Sequence, residues 1–142
     1  MGKIAIVYWS GTGNTQAMAE LVQEGVESAG GKAELFTAID FSEGKAKEFT
    51  AFGFGCPSMG SEQLEDTEFE PMYESVKPEL SGKPVVLFGS YGWGDGEWMR
   101  NWADDCEAAG CRLAADPVTV NGAPEGDDAE ACKALGKALA QG

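Results

Sequence analysis

Ser10, Thr12, Asn14 and Thr15 crowd into one short stretch, spaced by Gly11 and Gly13, after the apolar run Ile4-Ala5-Ile6-Val7 and before a helical pattern. Side-chain donors on a glycine-rich backbone that enters a helix can wrap an anion. The glycines let the chain curl so that its N–H groups converge, and the helix turns its positive end toward the same spot. The stretch holds no Lys or Arg, so neutral donors must hold the anion. That suits a phosphate monoester at a helix start better than a triphosphate with its magnesium, and the Walker pattern is absent. An ordinary helix start needs one such residue as its N-cap; the unbroken run from Ser10 through Thr15 exceeds that need.

A second group is Ser90-Tyr91-Gly92-Trp93-Gly94-Asp95-Gly96. Trp93 has glycines on both sides, so a large flat ring stands on a backbone with no neighbouring side chains to bury it. Such a ring can lie against a planar ligand while the N–H groups of Gly92 and Gly94 meet the ligand's edge; the alternative is a tryptophan folded over a surface turn. Trp98, further on in a helix start, reads as a core or interface residue. A third group is Pro57-Ser58-Met59-Gly60-Ser61-Glu62, where the polarizable Met59 can pack on the other face of a ring, Gly60 can adopt a turn with positive φ, and Glu62 is an acceptor. Together the three groups outline a phosphorylated, planar, heteroaromatic ligand.

The rest of the composition narrows the chemistry. Acidic residues number 24 against 10 basic ones, for a net charge of −14. This charge repels nucleic acid and anionic membranes and steers toward proteins with basic patches, although solubility alone would also account for it. The chain has no histidine, which excludes Ser-His triads and histidine general bases and leaves carboxylates, thiols or a bound cofactor. Cys56, Cys106, Cys111 and Cys132 form no Cys-x-x-Cys, so neither a zinc site nor a thioredoxin-like motif is supported. They read as reduced structural thiols, with Cys106 and Cys132 the candidates for exposure and reactivity. No apolar stretch approaches the ~20 residues of a membrane span and no signal core is present, so a soluble, cytoplasmic protein is expected; it is also expected to be a monomer.

Positioning these groups requires a particular scaffold. Strands are expected at residues 4–7, 33–36, 50–56 and 84–89, with an extended segment at 111–120 that Pro117 interrupts; helices are expected after residue 14, stopping at Gly30-Gly31, and at 42–49, 71–76, 98–109 and 127–140. Short strands alternating with crossover helices specify an α/β, doubly wound, five-stranded parallel sheet with helices on both faces. In strand order 2-1-3-4-5 the first, third and fourth strands are neighbours, and their carboxyl ends lie beside the point where strand order reverses. The three chemical groups therefore leave adjacent strands, and one pocket can be built from all of them.

The stretches at residues 8–15, 59–62 and 89–99 resemble the FMN-binding loops of short-chain flavodoxins of the clostridial type, and the resemblance extends from residue 3 to about 140 as a single flavodoxin-like domain. The absence of an extra loop within 111–120 also matches the short-chain branch. One departure is Pro57, which stands where some relatives carry a hydroxyl that helps hold the phosphate. The resemblance implies a low-potential one-electron carrier with tightly but non-covalently bound FMN. It implies that Ser10, Gly11, Thr12, Gly13, Asn14 and Thr15 hold the phosphate and that Met59 and Trp93 sandwich the ring. It further implies that the Gly60 carbonyl faces flavin N5, that Glu62 accepts from N3, that amides near Gly92 and Gly94 meet the pyrimidine oxygens, and that Asn121 touches the ribityl chain or ring. Ser58, Ser61, Ser90 and Tyr91 complete the expected cofactor-binding set. Partners would be reductases and electron-accepting enzymes with basic patches, and the acidic excess would raise the free energy of the reduced, anionic cofactor. A small FMN reductase acting on a nicotinamide or quinone is the competing reading, opposed by a ring covered on both faces. A phosphoacceptor domain is set aside because the first strand ends in Tyr8-Trp9-Ser10 rather than in carboxylates.

Overall fold

Along the first strand, β1 (Ile4–Tyr8), side chains alternate between two cores: Ile4 and Ile6 join one and Ala5 and Val7 the other, all buried. A strand apolar on both faces belongs in the middle of a parallel sheet covered on both sides. The computed structural model, which describes residues 3–11, 13–59, 64–92 and 96–141, places it there. After β1 come α1 (Asn14–Ser28), β2 (Ala33–Thr37), the short α2 (Glu43–Ala46), β3 (Ala51–Gly55), α3 (Phe69–Val76), β4 (Pro84–Tyr91), α4 (Glu97–Ala108), β5 (Arg112–Leu113), β6 (Val118–Asn121) and α5 (Asp127–Gln141). All pairings are parallel and the order is β2-β1-β3-β4-β5, as the sequence predicts. The fifth position is divided: β5 pairs with the start of β4 and β6 with its end.

One face of the sheet is covered by α1 and α5 through Met18, Val22, Val26, Leu135 and Leu139, packed on Ile4, Ile6, Val86 and Phe88. The other face carries the aromatics: Phe52 and Phe54 of β3 lie under Phe69 and Tyr73 of α3 and Trp98 and Trp102 of α4. Each such large side chain, fully buried, contributes about 1.5–3 kcal/mol by leaving water. Lys77, just past α3, bridges Glu74 and Asp105 of α4 at 2.9 Å each.

Several expectations change in detail. The helix expected over 42–49 shrinks to the single turn α2, capped by the Ser42 hydroxyl accepting from the Lys45 N–H at 3.4 Å, because Phe49 turns inward to join Phe36 and Phe41. β4 runs two residues further than expected, to Tyr91, because β6 supplies hydrogen bonds to its end. Glycine inside a strand marks a close approach, and at Gly55 of β3 the close neighbour is the Phe88 ring, onto which an added Cβ would fall. Cys106 and Cys132, expected as candidates for exposure, are both buried, as are Cys56 and Cys111. Burial pushes the Cys132 thiol up to about 11, where it is a poor nucleophile.

Candidate functional site

Hydrogen bonding continues past the strand ends and holds the loops side by side. The Trp9 N–H donates to the Gly55 carbonyl at 3.0 Å, Cys56 N–H to Phe88 at 3.1 Å, Ser58 N–H to Ser90 at 3.1 Å, and Gly122 N–H to Tyr91 at 3.1 Å. The chain after β1 thus lies against the chain after β3, which lies against the end of β4, which lies against the turn after β6. This fixed row of loops is the crevice at the carboxyl edge where strand order reverses.

In the first loop the Ser10 hydroxyl accepts from the Gly13 N–H at 3.0 Å, which folds the loop back on itself. Gly13 is the N-cap of α1 at φ +95°, a conformation in which a Cβ is strained. Among the described residues no side chain caps this end, which leaves the first-turn amides of α1 able to meet an outside anion. Thr15 is placed differently from Asn14. It is buried, and its hydroxyl pairs with that of Ser90 at 3.0 Å and accepts from the Ser90 N–H at 3.4 Å. Two residues expected at the ligand therefore lock α1 to β4 and position the amides around them.

A cavity of about 420 Å³ opens between these loops, lined by Trp9, Gly11, Asn14, Pro57, Ser58, Met59, Ser90, Tyr91, Gly92 and Gly122. Its volume lies in the range of small-molecule and cofactor sites. Gly11, Asn14, Ser58, Met59, Ser90, Tyr91 and Gly92, expected at the site, meet here, and Ser10, Gly13 and Thr15 stand beside it at the start of α1. Asn121 is exposed at the end of β6, in register with Tyr91. Thr12, Gly60, Ser61, Glu62, Trp93 and Gly94 lie outside the described residues.

Three lining residues were not among the expected contacts. The Trp9 indole N–H donates to Glu68 at 3.1 Å, and its ring approaches Gly11 so closely that a Cβ there would come within 3.2–3.3 Å. The signal was present as a large aromatic directly before a run of small residues. Pro57 contributes an apolar wall, and Gly122 is tied to Tyr91. The Ser58 hydroxyl is buried and has no hydrogen-bond partner among the described residues; such a hydroxyl in a cavity wall can meet a polar atom of whatever fills it. Neutral donors, a glycine cradle, apolar walls and this hydroxyl fit a phosphorylated planar ligand.

Glu65 anchors the far end of the second loop and gave no signal that was read from the sequence. Its carboxylate accepts from the N–H groups of Thr67 at 3.0 Å, Glu68 at 2.8 Å and Phe69 at 2.9 Å, and from the Thr67 hydroxyl, while its own N–H donates to the Cys56 sulfur at 3.3 Å. Burial acts to raise its pKa, but the Thr67 hydroxyl and the three amides outweigh it and hold the carboxyl below its ordinary value. A carboxylate with a depressed folded-state pKa stabilises the fold above its unfolded pKa and loses that contribution as pH falls through the folded one. Glu65→Gln should cost on the order of 1–3 kcal/mol at neutral pH and flatten the acid limb of the stability profile. Urea unfolding as a function of pH checks this; an acid limb unchanged from that of the parent protein would remove Glu65 from the account.

Comparison with known proteins agrees with the geometry. Residues 6–136 match the flavodoxin family. The chain is 44% identical over 138 residues to a flavodoxin of Megasphaera elsdenii, covering 97% of this chain and 98% of the relative, and 43% identical over 136 residues to a flavodoxin of Clostridium beijerinckii, covering 95% and 97%. The solution structure of two-electron reduced Megasphaera elsdenii flavodoxin superimposes with a TM-score of 0.91 over 98% of this chain and 99% of that one. A flavodoxin from the domain Archaea, 29% identical, gives 0.86 over 98% and 96%.

Proposed function

This chain belongs to the flavodoxin family, and from that premise we propose how its own residues serve the family's work. It is a low-potential electron carrier containing FMN, an electron-transfer flavoprotein rather than an enzyme. When bound, FMN supplies the reversible electron-accepting ring. Residues 3–140 act as one binding unit that holds it without a covalent bond. The first-turn amides of α1, with Ser10, Thr12 and Asn14, hold the phosphate. Thr15 and Ser90 keep those amides in place, and the orphaned Ser58 hydroxyl meets a polar atom of the cofactor. Met59 and Trp93 cover the two faces of the ring, while Gly60, Glu62, Gly92, Gly94 and Asn121 supply edge contacts, with Ser61 and Tyr91 completing the wall. The observation that carries this reading is the continuous hydrogen-bonded row of loops after β1, β3 and β4 around a single cavity.

Purified protein supplied with FMN should show the visible bands of a bound flavin and should not oxidise NADPH by itself. Failure to retain FMN would sink the assignment of these residues, and rapid NADPH oxidation would favour a reductase.

The partners are redox proteins, and we infer that they dock through basic patches on a monomeric, cytoplasmic carrier. The net charge of −14 supports this, and among the described residues no helix is long and apolar enough to cross a membrane. The same acidic excess disfavours adding negative charge at the site, at about 1.4 kcal/mol per tenfold change in equilibrium. Steered association weakens with salt, because the Debye length falls from ~30 Å at 0.01 M to ~10 Å at 0.1 M. The second-order rate of electron transfer with a basic partner should therefore drop by tenfold or more across that range, measured by stopped-flow spectroscopy. A flat salt dependence would count against steering.

A further inference from the structure

At the far end of α4 from the cavity, two cysteines are brought together by the way the helix stops. The Gly110 N–H donates to the Glu107 carbonyl at 3.0 Å, the Cys111 N–H donates to the Cys106 carbonyl at 3.1 Å, and Gly110 sits at φ +92°. This is a Schellman motif, whose geometry places the side chain after the left-handed glycine against the side chain three positions inside the helix end. Here those two residues are Cys111 and Cys106, both buried in the same core cluster. The backbone bond between the same two residues keeps their Cα atoms within the short span that a disulfide needs. The cysteines are free.

The two sulfurs are not equivalent. Cys106 is fully enclosed, whereas Cys111 retains 8% exposure at the edge of the motif. The neighbouring Cys111 and burial push the Cys106 thiol up, while the neighbouring Cys106, with help from the Lys77 ammonium, holds the Cys111 thiol below its ordinary value against the effect of burial. The Tyr73 hydroxyl, with no hydrogen-bond partner among the described residues, lies beside Cys106 and completes a buried cluster away from the cavity.

We propose that Cys106 and Cys111 are a redox-active dithiol that a hydroperoxide converts to an intramolecular disulfide. The Cys111 thiolate attacks the peroxide O–O bond; an S–O bond forms, hydroxide leaves and takes a proton to become water, and Cys111 becomes a sulfenic acid. The Cys106 sulfur then attacks the Cys111 sulfur. The S–S bond forms as the S–O bond breaks, and the Cys106 proton leaves with the hydroxyl as a second water. Two thiols and one hydrogen peroxide thus give one disulfide and two waters. The closed loop is short, so the bridge adds little to stability and a dithiol reductant should reverse it. Its effect is to pin the end of α4 to β5.

The test uses FMN-loaded protein treated with hydrogen peroxide, then unfolded in an alkylating reagent and mapped by mass spectrometry. The expected result is a peptide pair joining Cys106 and Cys111 and lighter by two hydrogens, with Cys56 and Cys132 alkylated as free thiols, and full reversal by dithiothreitol. In Cys106→Ser the bridge should vanish and dimedone should trap a sulfenic acid at Cys111; in Cys111→Ser, Cys106 should remain a thiol. The flavin absorbance should persist throughout, so loss of the cofactor and formation of the bridge are read separately. Alkylation of all the cysteines after peroxide would overturn the proposal. So would bridges to Cys56 or Cys132, bridges between chains, or irreversible oxidation of Cys111 with Cys106 still present.

Discussion

Gly136→Ala should destabilise the protein by roughly 2 kcal/mol or more, although Ala is the better helix former by about 1 kcal/mol. Gly136 lies in α5 where that helix crosses α1. A Cβ there would fall on the Val22 carbonyl and within 2.6 Å of the Val26 amide nitrogen, and one at Gly25, on the facing side, would fall on the Lys133 carbonyl. Those neighbours are helix backbone, which cannot turn aside as a flexible side chain can. The helices must separate along the contact, loosening Val22, Val26, Leu135 and Leu139 from the sheet. Gly44→Ala is the matched control, since in α2 the nearest atom to a new Cβ is the Ser42 hydroxyl at 3.9 Å; there propensity should prevail and stability should hold or rise. Thermal unfolding reads both, at roughly 3–5 °C per kcal/mol for a chain of this size. Equal melting temperatures for Gly136→Ala and the parent would show that the crossing yields more easily than its geometry implies.

Trp98→Ala and Trp93→Ala should fail in different ways. Trp98 is 2% exposed, donates its indole N–H to the Cys56 carbonyl at 3.2 Å and lies 5.8 Å from the Tyr91 ring. Its removal should cost about 3–5 kcal/mol, a large share of the 5–15 kcal/mol that holds a typical domain together. Trp98→Phe keeps most of the ring volume but leaves the Cys56 carbonyl unpartnered, at about 1–3 kcal/mol. Trp93→Ala should leave urea unfolding of the apoprotein nearly unchanged and weaken FMN, because a stacked aromatic contributes roughly 0.5–1.5 kcal/mol beyond its buried area. Urea midpoints and fluorescence titration of the apoprotein with FMN separate the two. Equal losses of FMN affinity, with both variants folded, would mean that the stacking role was given to the wrong tryptophan.

Much of the fold was legible because its signals are local. The apolar run of β1, the Gly30-Gly31 stop and the unbroken apolar stretch of β4 each announce themselves within a few residues. Their alternation implies a parallel sheet, since a parallel connection needs a crossover and a crossover helix needs a sheet face. That Gly11, Asn14, Met59 and Gly92 line one cavity could be anticipated in the same way, because their stretches break the composition expected of loops. The length of α2 could not be read, since the inward turn of Phe49 is decided by Phe36 and Phe41.

The sequence by itself therefore determined the class of fold, the order of its strands and the family, and it pointed to the loops that line the cavity. Tertiary structure alone decided what depends on residues distant in the chain: the Thr15 hydroxyl turning inward to Ser90, Glu65 gathering the amides behind the second loop, Gly25 meeting Gly136, and the enclosure of Cys106 and Cys132. The physical reason is range. Helix and strand periodicity and turn chemistry are settled over a few residues. The partner of a buried hydroxyl, the exposure of a thiol and the room for a single methyl group are settled by whichever surfaces the packed sheet and helices bring together.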